Sequence, residues 1–94
     1  MASPAEVAND MSAYARFWDG RDRRIERVCR DAARVIRSLL AGDRIDGRTW
    51  GGLHRRLLDM ETASWMEREA PSMCWHLTRA RTTIESLRAG ARAA

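Results

Sequence analysis

The sequence predicts an all-α fold, a small antiparallel bundle of about four helices. Three features point there. Apolar residues recur at helical spacings of three and four, capping residues precede most of those runs, and no segment alternates with a period of two. Ninety-four residues at 10.7 kDa make one domain with a single small core.

The first helix, expected over about 4–19, opens behind Ser3, with Pro4 at its first position and Glu6 completing a Ser-x-x-Glu capping box. Val7, Met11, Tyr14 and Trp18 share one face, and Gly20 is the natural stop. The second helix, over about 21–41, is expected to take Asp19 as its cap, with Asp22 in the first turn. Ile25, Val28, Cys29, Ala32, Val35, Ile36, Leu39 and Leu40 form its broad apolar stripe, and Gly42 ends it.

Asp43 to Thr49 contains Asp46-Gly47 and reads as a turn-rich connector. A third helix is expected over about 49–70, with Trp50, Leu53, Leu57 and Met60 along one side. Gly51 and Gly52 weaken its first turn. Pro71 interrupts the path, because it lacks an amide donor and clashes one turn back. Ser72 then caps a fourth helix over about 72–89. Its residues Met73, Leu77, Ala80, Ile84, Leu87 and Ala91 form a heptad-like seam. Such a seam closes either a monomer or a homodimer through the C-terminal helix.

Several functional classes are set aside by composition. No apolar run approaches the roughly 18 residues of a membrane helix, and no basic-then-apolar secretion signal opens the chain. Two cysteines are too few for a disulfide scaffold. A cytoplasmic location is expected. For a metal, the candidates are His54, His76, Cys29 and Cys74, but Cys74 and His76 diverge on a helix and Cys29 lies in an apolar stripe. No metal and no cofactor are expected. Glu61 falls on the apolar side of the third helix, two turns from His54 and Arg68, where a salt-bridged boundary residue is the expected reading. No nucleophile motif or phosphate-cradling Gly loop occurs, so the chain is not expected to be an enzyme.

Charge is the informative property. All 17 basic residues are Arg, none is Lys, and 15 residues are Ala, a bias that points to a GC-rich coding sequence. The net charge of +4 is uneven: residues 16–37 hold eight Arg against four acids. Within them Arg23, Arg27, Arg30, Arg34 and Arg37 repeat at 4, 3, 4 and 3, opposite the apolar stripe. That ridge spans on the order of 20 Å. It suits an acidic protein surface or nucleic-acid phosphates. The plainer reading is a solvated face, softened by Asp22, Glu26 and Asp31. A helix-turn-helix is disfavoured, since the connector before Arg48, Arg55 and Arg56 exceeds the usual 3–4 residue turn.

Tryptophan is the other anomaly, with four among six aromatics. Trp18 and Trp50 sit on core faces and Trp65 at the edge of one. Trp75 projects opposite the seam beside Thr78, Arg79 and Thr82. An exposed Trp next to Arg has the composition of an interface hot spot. The other placement folds Trp75 back over the Pro71 kink.

Trp50-Gly51-Gly52, in the middle of a helical chain of this length, resembles the Trp-x-Gly turn of the WXG100 family of secreted helical hairpins. Trp65 matches that family's second aromatic. Gly20 and Pro71 interrupt both arms of such a hairpin, and the only Tyr is Tyr14, so the family's C-terminal Tyr-based export signal is missing.

The expected role is that of a small binding protein, an adaptor or inhibitor of a larger complex of the kind phages and mobile elements encode. Its partner residues are Arg23, Arg27, Arg30, Arg34, Arg37, Trp75 and Arg79. An acidic protein surface is the expected partner, with a nucleic-acid-binding regulator as the rival reading.

Overall fold

Ser3 caps the first helix as its sequence requires: its Oγ accepts the Glu6 amide at 3.2 Å, and α1 runs Pro4–Trp18. The computed structural model describes residues 2–93. Four further helices follow, α2 (Arg23–Leu40), α3 (Gly47–Thr62), α4 (Ser64–Glu69) and α5 (Pro71–Ala93), with no strand among the described residues. The fold is an all-α bundle.

Its helix boundaries depart from the expected ones for local reasons. Asp22, not Asp19, caps α2, accepting the amides of Arg24 at 2.9 Å and Ile25 at 3.3 Å. Gly20 takes a left-handed φ of +78°, so the chain has already turned before α2 starts, and Asp19 only closes α1. Asp46 likewise caps α3, accepting the Thr49 amide at 2.8 Å, so α3 begins two residues early, inside the expected connector.

The expected third helix is two helices. Ala63 leaves the helical region at ψ 129° without any Pro or Gly nearby. The Thr62 hydroxyl donates back to the Leu58 carbonyl at 3.0 Å, competing with the helix ladder. Met60 and Met66 lie six residues apart and would face different sides of a straight helix, yet both are buried. The break lets the core take both.

Pro71 starts α5 as its first residue, where a missing amide costs nothing, and Ser72 is therefore inside the helix. Ala70, at φ −151° and ψ 61°, is kept out of the helical region by the following proline and separates it from α4. Gly90 does not end α5. Its seam buries Met73, Leu77, Ala80 and Ile84 against the other helices of the same chain; Leu87 is half-buried and Ala91 is exposed.

The core gathers Met11, Ile25, Ile36, Leu53, Leu57, Met66, Leu77 and Ile84. The α1–α2 hairpin is the most extensive pairing, α5 touches all four other helices, and α1 and α3 do not meet. Thus α2 and α5 pack directly against each other, and each also contacts both α1 and α3. The most extensive polar tie from α3 to α5 is built on Glu61, beside a His54–Glu85 contact at 3.5 Å. Glu61 is bound by Arg81 at 2.9 and 3.1 Å and by the Thr78 hydroxyl at 2.6 Å. It is a salt-bridged boundary residue.

Candidate functional site

Because Ile25, Val28 and Ala32 claim the inner side of α2, its Arg residues stand in solvent. Arg23, Arg27, Arg30, Arg34 and Arg37 are all exposed. They are not equivalent. Arg30 pairs with Glu26 at 3.0 Å and Arg34 with Asp31 at 3.4 Å, both within the helix. Arg37 turns to α1 and donates to Ser12 at 2.7 Å and Asn9 at 3.1 Å. Among the described residues, Arg23 and Arg27 have no ion-pair partner.

From α3, Arg56 reaches over to Asp31 at 2.8 Å. It closes the side of a trough of about 480 Å³ whose basic lining is Arg23, Arg27, Arg30, Arg34 and Arg56. Arg56 was legible only as one more charge near a helix start; nothing local in the sequence pairs it with Asp31. Beside the trough, Arg24 lies over Trp65, its guanidinium carbon 3.7 Å from the ring centroid. Asp22 fixes that guanidinium at 2.9 Å, and the same hydrogen bond holds the Asp22 carboxyl below the ordinary value of 3.8.

Trp75 lies where α5 meets α1 and does not line the trough. It is 61% exposed and does not cover the Pro71 junction. Its ring packs edge-on to His76 and carries the Arg79 guanidinium at 4.7 Å. Arg79 is itself anchored to Asp10 of α1 at 2.7 Å and is mostly covered, with a side-chain exposure of 22%. Trp75 and Arg79 are thus brought together, and the α2 ridge is kept apart from both. Phe17, which sequence reasoning left unassigned, is also exposed, with Arg21 stacked over it at 4.6 Å. It lies one turn beyond Tyr14 on α1 and meets Trp18 edge-on.

The residues weighed for metal binding are dispersed. Cys29 is fully buried, and burial, then the nearby Glu26 charge, push its thiol up to about 12. His54 rests against Trp50, and His76 bonds Tyr14. Trp50, Gly51 and Gly52 lie within α3 and form no turn between helices. No helix among the described residues is long and apolar enough to cross a membrane. No family model matches the chain, and no curated protein or solved structure is significantly similar to it.

Proposed function

We propose that this chain is a non-enzymatic helical binding protein of the cytoplasm, a monomeric or homodimeric adaptor or inhibitor that docks on an acidic protein surface. The Arg ridge of α2 is its main contact, and Trp75 with Arg79 forms a second one where α5 meets α1. The observation that carries the choice of partner is the pair of carboxylates inside the ridge. Glu26 and Asp31 close on Arg30, Arg34 and Arg56 at 2.8–3.4 Å. A nucleic-acid backbone is uniformly negative and meets those carboxylates unfavourably along its whole length. A protein surface can set its acids against Arg23 and Arg27 and neutral groups against the rest.

The test is an affinity pull-down from the native host, with and without nuclease, repeated with Arg27, Arg30 and Arg34 all changed to Gln. Gln keeps helix propensity high, so the fold survives. Capture of a protein that resists nuclease and is released by the triple variant supports the reading. Nuclease-sensitive capture favours the nucleic-acid regulator. That result should come with a log-affinity against log-salt slope shallower by about 0.9 per lost contact on duplex DNA.

A further inference from the structure

We infer that the cleft between α2 and α3 is a docking groove for an acidic polypeptide segment bearing one large apolar residue. The inference rests on the protein-binding reading above and specifies the chemistry of that partner.

Two adjoining features build the groove. The first is a cleft of about 370 Å³ whose apolar wall is Val28, Met60 and Trp65. Its size lies at the small end of the range for ligand sites, which suits one large side chain. Most of its wall is fixed, since Val28 and Met60 belong to the core; Trp65, on the short α4, lies under the stacked Arg24, itself tied to Asp22. A side chain entering it meets a preorganised surface.

The second feature is the basic trough. Arg27 and Arg56 line both the cleft and the trough, so the two are continuous. From there Arg23, Arg30 and Arg34 extend along α2, and Arg23 to Arg34 covers about 16 Å at the helical rise. Five Arg against Glu26 and Asp31 leave the trough positive, which selects an occupant rich in carboxylates. Asp59 stands at the cleft itself and repels an acid at that end. The segment therefore seats its apolar residue against Trp65 and sets its carboxylates against Arg27 and Arg23, which have no ion-pair partner among the described residues.

The probe is a synthetic fluorescein-labelled peptide, rich in Glu with a single Phe, titrated into the full chain and followed by anisotropy. A Phe→Ala peptide should bind about tenfold more weakly or worse, as expected for loss of a buried anchor. An Arg27→Glu, Arg56→Glu variant should lose a similar factor, since both side chains are exposed and the fold is kept, as a melting curve verifies. A peptide with Arg in place of Glu should then bind that variant better than the wild type. In the wild type, amide shifts on peptide addition should centre on Val28, Met60 and Trp65.

Equal affinity for the Phe and Ala peptides overturns the inference. So do shifts centred on Trp75, or displacement of the peptide by single-stranded DNA at lower concentration than by unlabelled peptide. Absence of peptide binding also overturns it, while the protein-binding reading then stands or falls separately on the nuclease-treated pull-down.

Discussion

The Tyr14 hydroxyl on α1 and Nε2 of His76 on α5 share a hydrogen bond of 2.9 Å, while Nδ1 of the same ring is buried without a partner among the described residues. Burial, reinforced by the Arg79 charge and opposed by Asp10, holds His76 below its ordinary value of 6.5. The unfolded chain therefore takes up this proton before the folded chain does. Stability from this site is complete above 6.5, falls as the pH drops through that value, and levels off under the folded pKa. Urea midpoints measured from about pH 8 to about pH 5 should decline, and His76→Phe should flatten the decline. Equal slopes for the two proteins would assign the titration elsewhere.

Removing Arg81 alone should be costly. Glu61 has a side-chain exposure of only 9%, and Arg81 supplies two of its three hydrogen bonds. Arg81→Met leaves that carboxylate nearly stranded and should cost about 3 kcal/mol. Adding Glu61→Leu should recover most of the loss, because no uncompensated charge remains. A double variant less stable than Arg81→Met in urea unfolding contradicts the assignment.

Glycines divide into two kinds by backbone conformation. Gly52 is helical in α3, and a methyl group built there meets nothing within 4 Å, so Gly52→Ala should stabilise by about 0.5–1 kcal/mol. Gly42 holds a left-handed φ of +90°, so Gly42→Ala should destabilise by about 1 kcal/mol. Thermal melts should move in opposite directions. If Gly52 instead formed a turn like that of secreted Trp-x-Gly hairpins, both variants would melt lower.

Trp75→Ala should separate binding from folding. With most of its ring in solvent, its loss costs at most about 1 kcal/mol, chiefly the cation–π contact with Arg79. Capture of the host partner should weaken by about 2 kcal/mol or more. A destabilised variant that still binds normally would make Trp75 structural.

What the sequence made legible was local. The Ser3 cap follows from a short-range motif, and the inward side of α2 from the periodicity of Ile25, Val28, Ala32 and Ile36. Trp75 could be placed on a helix face but not against its surroundings, because its setting depends on Asp10 holding Arg79 from another helix. The break at Ala63 carries no Pro or Gly signal; burial of Met60 together with Met66 imposes it. Likewise the ridge reads as five equal charges, whereas pairing across helices divides them. Arg37 is drawn to α1, while Arg56 of α3 meets Asp31 between them.

The reach of α5 also governs how the molecule opens. Since α5 touches every other helix, its release strips packing from all of them at once. Amide protons from Leu77 to Ile84 should then exchange with solvent only through complete unfolding, at the full free energy of the fold. The short α4, whose backbone packs on α3 and α5 and which meets α2 through the Arg24 side chain, should exchange earlier, and with it the backbone that carries Trp65. One wall of the α2–α3 groove would thus belong to the part of the protein that yields first.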